Sequence, residues 1–561
     1  MRVRLLPLVL VLALFSGGCT SFAAEPEREP EPAEPVGAVA TSAPDDRLTV
    51  IADGDPVAWA VTMSQVLFDR SPVVVVARDG DRAGTLLAAS AAVGLGVPLL
   101  LQPAGDGPAD VLAEELGRLG TGTVLAVGDA DGGAAGALTD GVGREVVAVP
   151  ADAEAVASAT GVEFEPADPV SSHNDPATVA ALDPEAPVAL RLDGAPASSA
   201  GSSDARLPGV ERAEPLATTS VLATGEAAST AALATARAAG ATVSLTSGET
   251  DPRRSTEALA ALSSGGWAKP EAVVALGAGF AAEDGLDWKV ETAAGGTQLP
   301  GGGQVLFPGR LLVALYGHPG SGALGVLGEQ DVAGSIERAR AHAAPYDALV
   351  EDTVVPAFEI IATVASSAPG ADGNYSAEAD VEVLRPWVEA AGDAGLYVVL
   401  DLQPGRADFL TQAQRYSTLL ELPHVGLALD PEWRLAPDGV HLSQIGSVSV
   451  DEVNRVAGWL ADLTRERALP QKLLVLHQFQ LRMIDGRERL DTSRDELAVM
   501  IHADGQGSQG DKQATWLALH QNPPPGIFWG WKNFYDEDAP MLTPEQTISG
   551  VSPRPDLISY Q

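Results

Sequence analysis

The second half of the chain alternates short apolar runs with longer amphipathic stretches, and few folds are compatible with that alternation. Seven apolar runs are predicted to be strands, and helical stretches separate most of them: Leu311–Tyr316, Val354–Ile361, Leu396–Leu400, Val425–Leu429, Leu473–Leu476, Leu497–Ile501 and Ile527–Trp529. Strands and helices in alternation form parallel sheets covered by helices. Residues 306–561 are therefore predicted to form a TIM-like (β/α) barrel of seven strands, or of eight if one strand has escaped the pattern. An open doubly wound sheet is the alternative.

Polar side chains lie at the end of almost every predicted strand in this half. Active sites of (β/α) barrels lie at the carboxyl ends of the strands, so these side chains are the candidates for chemistry. We interpret four acidic residues as catalytic: Glu359, Asp401, Asp430 and Glu432. We interpret the remaining strand-end side chains as substrate-binding: Tyr316, His318, Gln403, His477, His502, Asp504, Trp529, Trp531 and Lys532.

The acidic candidates point to glycoside hydrolysis. Two carboxyl groups a few ångströms apart can differ in pKa, so that one stays protonated while the other is ionised. Asp430 and Glu432 should face the same side if the extended chain continues through Pro431. Trp529 and Trp531 offer flat apolar faces of the kind that pack on sugar rings. In these features the half-chain resembles barrel glycoside hydrolases in general, without the motif of any one family.

A non-catalytic binding protein of the same architecture is the competing hypothesis. In that case the acids pair with nearby arginines and only hold loops: Arg406, Arg434, Arg482 and Arg487. The two hypotheses differ in geometry. An open cleft with two of the acids about 5 to 10 Å apart favours the enzyme, whereas burial of all four in arginine pairs favours the binder.

Other chemistries have weaker support in the sequence. Histidines at strand ends, with carboxylates, could converge on a metal ion: His318, His477 and His502 with Glu359, Asp401 or Asp504. No His-x-His or His-Glu-x-x-His spacing accompanies them, so we predict no metal and no cofactor. The Gly320–Gly325 segment matches the dinucleotide pattern in letters, but its helix and acidic residue are missing, and a rim loop is predicted instead. No Gly-x-Ser-x-Gly elbow indicates a serine nucleophile.

The first half of the chain contains an internal repeat of strand, helix, strand, helix and strand. The predicted strands of the two copies are Val73–Ala77, Pro98–Leu101, Val124–Gly128, Val221–Ala223, Thr242–Leu245 and Val273–Gly277. This order predicts two small parallel α/β units, over residues 47–160 and 161–290. The glycine-rich stretch after them predicts a linker over residues 291–305.

The segment Ile51–Gln65, with the three strands that follow it, resembles a cell-wall-binding repeat of type 2. The resemblance covers about 90 residues, and the second copy follows it in outline over roughly residues 215–285. Such repeats are tandem α/β units on bacterial surface proteins, so the resemblance implies an envelope polymer as partner. Pro56-Val57 replaces the Arg-Tyr of the family, and Ala83-Gly84-Thr85 replaces its Asp-Ala-Leu. An α/β scaffold that binds nothing is the alternative.

The N-terminus has the layout of a secretory signal. Arg2 and Arg4 precede the apolar run Leu5–Phe15, and small residues lead to Cys19. The apolar run is shorter than the about 20 residues that a spanning helix needs. The segment before Cys19 resembles a bacterial lipobox, which implies removal of residues 1–18 and lipidation of Cys19. Residues 19–46, rich in proline and glutamate, are a predicted spacer. An ordinary cleaved signal with an incidental cysteine is the alternative.

The excess of acidic over basic residues limits the classes of molecule that the chain can bind. The chain has 35 lysines and arginines against 76 aspartates and glutamates, a formal net charge of −41, which argues against nucleic-acid binding. A single cysteine excludes an intramolecular disulfide and a cysteine-rich zinc site. The sequence predicts an extracytoplasmic lipoprotein, tethered to the membrane by its lipid, that hydrolyses an envelope polymer or glycan. The alternative is a non-catalytic envelope-binding or scaffold lipoprotein.

Overall fold

A computed structural model describes residues 37–104, 109–129, 143–171, 174–192, 205–263 and 270–561. The predicted signal peptide, Cys19 and most of the predicted spacer lie outside these residues. Within the described ranges, no helix combines the length and the apolar character needed to cross a bilayer.

The first half contains short, mostly parallel strands and the helices that cover them. The strands are β1 Ala40–Thr41, β2 Leu48–Ile51, β3 Phe68–Arg70, β4 Val73–Arg78, β5 Leu99–Gln102, β6 Thr123–Val127, β7 Glu145–Val149, β8 Thr219–Ala223, β9 Thr242–Leu245 and β10 Ala272–Leu276. The helices are α1 Pro56–Leu67, α2 Arg82–Leu95, α3 Ala109–Arg118, α4 Ala153–Thr160, α5 Asp175–Ala180, α6 Thr230–Ala238, α7 Thr256–Ser263, α8 Ala278–Ala281 and α9 Leu286–Gly295. Residues at the helix ends explain the boundaries of α2. The Asp81 carboxylate accepts from the Gly84 amide, and Gly96 closes the helix at φ 72°.

Two four-stranded parallel sheets organise this half, and each contains the three predicted strands of one copy together with one strand that was not predicted, β7 or β2. One sheet has the order β5-β4-β6-β7 and the other the order β2-β10-β8-β9. Helices α1 and α2 of the first copy pack against α6 of the second. Strand β2 lies within the predicted first unit, residues 47–160, but it pairs with β10 of the second, with Leu48 opposite Val273 and Ile51 opposite Leu276. Residues 48–51 therefore belong to the second sheet, whereas β1 pairs with β3 in a separate two-stranded sheet. The domain boundaries near residues 160 and 290 stay predictions.

The second half forms a closed barrel of eight parallel strands, which confirms the predicted fold class. The barrel strands are β11 Arg310–Gly317, β12 Thr353–Ala365, β14 Tyr397–Leu402, β15 Val425–Leu429, β17 Lys472–His477, β19 Leu497–Ala503, β20 Phe528–Asn533 and β21 Leu557–Tyr560. Three short strands lie outside the ring: β13 Ser376–Glu378, which is antiparallel to β12, and the pair β16 Val448–Ser449 and β18 Ile484–Asp485. The helices are α10 Val332–Ala343, α11 Val381–Asp393, α12 Phe409–Arg415, α13 Ser417–Leu420, α14 Val450–Glu466, α15 Gln509–Leu519 and α16 Pro544–Gly550. The unassigned eighth barrel strand is β21, which pairs with both β20 and β11 and closes the ring. Closure excludes the open doubly wound sheet.

The glycine-rich segment before the barrel packs against the end of the barrel at which its strands begin, which we call the lower end. Leu299 is buried with Leu306 and Phe307 beneath the interior residues Leu312 and Leu557. The first half also meets the barrel at this end, because the buried Lys289 ammonium pairs with Glu283 and with Asp495, just before β19. The carboxyl ends of the strands thus face away from this contact.

Candidate active site

The inward-facing side chains of the barrel change from apolar to polar towards the carboxyl ends of the strands. Alternate residues of a strand point to the same face, so the row through Leu312 and Ala314 ends at Tyr316. The corresponding row through Val355 and Ala357 ends at Glu359. Contacts join the inward-facing polar residues into one buried layer: Tyr316, Glu359, Asp401, His477, His502, Lys532 and Ser559.

His477 lies at the centre of this layer between carboxylates. Its Nε2 lies 2.7 Å from Oε1 of Glu359, and its Nδ1 lies 2.8 Å from Oδ2 of Asp504. Burial alone would lower the pKa of His477, but the charge of Glu359 and hydrogen bonds to both carboxylates raise it well above its ordinary value. Burial likewise opposes ionisation of Glu359, yet His477 lowers the pKa of Glu359 to about 2. The three groups therefore form an imidazolium between two carboxylates.

Asp401 is held by Tyr316 on the other side of the layer. The Tyr316 hydroxyl donates to Oδ2 of Asp401 over 2.8 Å, and Gln403 Nε2 donates to the same hydroxyl over 3.3 Å. Oδ1 of Asp401 lies 4.0 Å from Nε2 of His477. Burial raises the pKa of Asp401 to about 6, with His477 opposing and Glu359 reinforcing the shift. Asp401 is thus a fully buried acid whose pKa is raised towards neutrality.

A cavity of about 530 Å³ opens above this layer. Three acids, Asp430, Glu432 and Asp504, line it together with Lys532. The other polar and aromatic lining residues are Tyr316, Gln403, Trp433, Phe479, Gln506, Thr515, Phe534 and Gln561. The volume is within the range of cavities that enclose a small ligand.

The three acids of the cavity differ in protonation. Burial raises the pKa of Glu432 to about 7, and the charge of Asp504 reinforces the shift. Burial also raises the pKa of Asp430 well above its ordinary value. Burial opposes ionisation of Asp504 too, but the hydrogen bond from His477 holds the pKa of Asp504 below its ordinary value. An oxygen of Asp430 and an oxygen of Asp504 lie within 4.8 Å of each other. One cavity thus contains both a neutral and an ionised carboxyl group near pH 7.

Asp430 and Glu432 both face the cavity, as predicted, but the backbone between them is not the extended chain that the prediction assumed. Strand β15 ends at Leu429, and Pro431–Trp433 forms a 3₁₀ turn rather than extended chain. The Asp430 carboxylate caps this turn by accepting from the Glu432 amide over 3.1 Å. The turn brings both carboxyl groups to the cavity, so the extended geometry was wrong although both side chains line one site.

The structure separates the predicted residues into four groups, of which the fourth, Trp529 and Trp531, packs outside the barrel. Tyr316, Gln403, Asp430, Glu432, Asp504 and Lys532 line the cavity. Glu359, Asp401, His477 and His502 are buried in the layer beneath it. His318 instead places its Nδ1 2.8 Å from the Ile361 carbonyl.

Trp529 and Trp531 are corrected by the structure. Both pack with Trp516 of α15 in an apolar cluster outside the barrel, and Trp529 stacks on His520 at 3.6 Å between ring centroids. They alternate with Lys532, which faces inward on the same strand, so they face outward. Trp433, Phe479 and Phe534 supply the aromatic surface of the cavity instead. Trp433 follows the acidic motif directly, which is the signal that could have identified it.

The arginines of the competing hypothesis have other partners. Arg434 pairs with Glu452 and Arg406 donates to the Gly439 carbonyl. Arg487 donates to Gln478, and Arg482 donates to Gln480. Among the residues that the structure describes, no ion pair joins any of the four acidic candidates to an arginine. The acids are therefore available to the cavity or to His477.

Two sets of side chains approach closely enough to share a cation: Glu359, His477 and His502, and Asp430, His477 and Asp504. His318 belongs to neither set. Both sets depend on His477, whose two ring nitrogens already contact carboxylates. The absence of a metal stays a prediction. The Gly320–Gly325 segment contributes Ala323 and Leu324 to the cavity wall, in agreement with a rim loop.

Comparison with known proteins gives weak structural likeness only. No family model matches the sequence, and no curated protein matches it. Two cell wall proteins of Clostridium difficile are weakly similar in structure. Cwp6 has a TM-score of 0.32 and 12% identity, with 70% of this chain and 66% of that chain covered. Cwp8 has a TM-score of 0.31 and 14% identity, with 45% of this chain and 53% of that chain covered. The chain spans just under two thirds of Cwp6 and about half of Cwp8.

Proposed function

We propose that the C-terminal barrel hydrolyses glycosidic bonds in an envelope or environmental glycan. The observation that supports this proposal is that one cavity at the carboxyl ends of the barrel strands is lined by Glu432, whose pKa burial raises to about 7, and by Asp504, whose pKa is held below its ordinary value. Glycoside hydrolysis needs one carboxyl group that donates a proton and another that is ionised. Protonation states set apart by the environment are how enzymes assign such roles.

In the proposed reaction, Glu432 is the general acid. Its carboxyl group is half-buried at the cavity, where it donates a proton to the glycosidic oxygen as the bond to the leaving sugar breaks. Asp504 is the ionised partner, which acts on the anomeric carbon directly or through an activated water. Oδ2 of Asp504 is occupied by His477, whereas Oδ1 has no hydrogen-bond partner in the described part of the chain.

Two buried residues, Glu359 and His477, act on the reaction through Asp504. Glu359 holds His477 from the side opposite Asp504, so it is a positioning residue rather than a group that meets the sugar. This assignment makes Glu359 a positioning residue and Asp504 a catalytic one, and of the other catalytic candidates it gives a step to Glu432 but none to Asp401 or Asp430. Trp433 and Phe479 provide apolar faces against which a sugar ring packs.

The proposal also includes the cell surface as the location. The Arg2 to Cys19 segment supports export and lipidation, and the α/β units of the first half support attachment to a wall polymer. The first half contacts the lower end of the barrel, which leaves the cavity directed away from it. Cys19→Ala should release the protein from membranes and abolish labelling by fatty acid. A variant that still fractionates with membranes would contradict the lipid anchor.

A glycan-hydrolysis screen with the full mature chain tests the catalytic proposal. Glu432→Gln and Asp504→Asn keep the shape of each side chain and remove its acid–base function, so each should lower kcat by orders of magnitude. Glu466→Gln is the matched control, because Glu466 is exposed on α14. Full activity in both cavity variants would overturn the roles. Binding of envelope glycan without hydrolysis by the wild type would establish the non-catalytic alternative.

A further inference from the structure

Lys532 is a buried cation that faces the proposed site. It lies near the end of β20, is 3% exposed and lines the cavity. Its Nζ lies 3.5 Å from the centroid of the Tyr316 ring and 5.2 Å from that of Phe534. Within the described ranges, no carboxylate lies within 4.0 Å of this ammonium, and no hydrogen bond from it is formed. Two ring faces are its close contacts.

Each neighbouring acid has one hydrogen-bonded oxygen, but Oε2 of Glu359, Oδ1 of Asp401 and Oδ1 of Asp504 are buried without a hydrogen-bond partner in the described part of the chain. His477 lies between Glu359 and Asp504, and Tyr316 donates to Asp401. The nearby buried Lys512 pairs with Asp538 over 2.8 Å. Lys532 donates no hydrogen bond to these acids, although its charge acts at longer range on the carboxyl groups of the site: Glu359, Asp401, Glu432 and Asp504.

A buried ammonium is costly unless it is paired and hydrogen-bonded. The aromatic faces of Tyr316 and Phe534 stabilise its charge but accept no conventional hydrogen bond from it. A ligand hydroxyl in the cavity would supply a hydrogen bond without a charge. A ligand carboxylate would supply both, and a single negative charge suits a single ammonium in a cavity that also contains acids.

We propose that the cavity recognises an acidic sugar whose carboxylate binds the ammonium of Lys532. This inference rests on the proposed function and specifies its substrate class. A uronic acid and a lactyl-ether sugar both offer such a carboxylate. Lys532 selects the sugar in this scheme and takes no part in proton transfer.

Equilibrium binding of free monosaccharides to the full mature chain tests the inference without requiring hydrolysis. Ligand-detected NMR titrations compare glucuronate with its neutral methyl ester, and N-acetylmuramic acid with its methyl ester. In the wild type, at least one acid should bind about tenfold to hundredfold more tightly than its ester. The acid of the preferred pair identifies the source of the carboxylate.

Lys532→Met should bring the ratio of acid to ester affinity close to one. Lys472→Met is the control, because Lys472 is also a buried strand lysine but donates to the Leu422 and Val425 carbonyls at the opposite end of the barrel. Circular dichroism checks that each variant is folded, and Lys532→Gln serves if the Met variant is not. Equal affinities in the wild type, an unchanged ratio in the Lys532 variant, or no binding of any of these sugars would overturn the inference. Glycan hydrolysis, measured separately, decides the proposed function.

Discussion

The imidazole Nε2 of His477 lies 2.7 Å from Oε1 of Glu359, and both side chains are inaccessible to solvent. A buried ion pair is costly to break because the remaining charge has no partner. His477→Gln should therefore lower the free energy of unfolding by about 3 to 5 kcal/mol. Glu359→Gln in the same chain should recover part of that loss, since it removes one of the stranded charges.

Chemical denaturation of the two single variants and the double variant measures this coupling. His424→Gln is the control, because the partner of His424 Nε2 is the Val388 carbonyl rather than an acid. Additive losses in the double variant would show that the two residues do not stabilise each other.

Glu432 should reduce the stability of the protein above neutral pH. Its pKa is raised to about 7, so the folded state favours its protonated form. The stabilisation is complete below the unfolded pKa of about 4.3 and is lost as the pH rises through about 7. Glu432→Gln should therefore raise the free energy of unfolding by on the order of 2 kcal/mol at pH 8, and by much less near pH 5. A gain independent of pH, or an equal gain in Glu466→Gln, would contradict this explanation.

The pH dependence of hydrolysis should follow the ionisation of two carboxyl groups, those of Glu432 and Asp504. The alkaline limb of kcat/KM should fall as Glu432 loses its proton near pH 7. The acidic limb should lie below the ordinary range of an aspartate, because His477 lowers the pKa of Asp504. Measurement from about pH 3 to about pH 9 should give an acidic optimum. A rate that still rises above pH 8 would exclude Glu432 as the proton donor.

The barrel could be predicted from sequence because seven of its strands contain apolar runs, of which only Val354–Ile361 is interrupted by a charged residue, Glu359. The eighth, Leu557–Tyr560, is short and contains Ser559 and Tyr560, so its hydropathy is weak. The pairing of β2 with β10 joins segments more than 200 residues apart, as Leu48 and Val273 show, and local patterns cannot indicate it. For the same reason the sequence identifies the residues around His477 as candidates but does not indicate which of them contact one another.

The aromatic part of the site was mispredicted for a geometric reason. In β20, Trp529 and Trp531 alternate with Lys532, so only one set can face the interior. The sequence does not indicate which set does so.

Trp433→Ala should raise KM for a glycan about tenfold through loss of a packing face. Trp529→Ala should leave KM unchanged but cost about 3 to 5 kcal/mol of stability, because Trp529 is buried against Trp516 and His520. The opposite result in the two variants would return sugar packing to Trp529.

The glycine-rich segment should act as part of the barrel rather than as a free linker. Leu299 is 3% exposed and packs with Phe307 beneath the barrel, and Gln304 Nε2 donates to the Thr292 and Thr297 carbonyls. A fragment of residues 296–561 should fold, and one of residues 304–561 should be less stable by about 2 to 5 kcal/mol because it lacks the Leu299 side chain. Leu299→Ala in the longer fragment should reproduce most of that difference, with Thr297→Ala as the control. Equal stability of the two fragments would show that residues 296–303 only connect the halves.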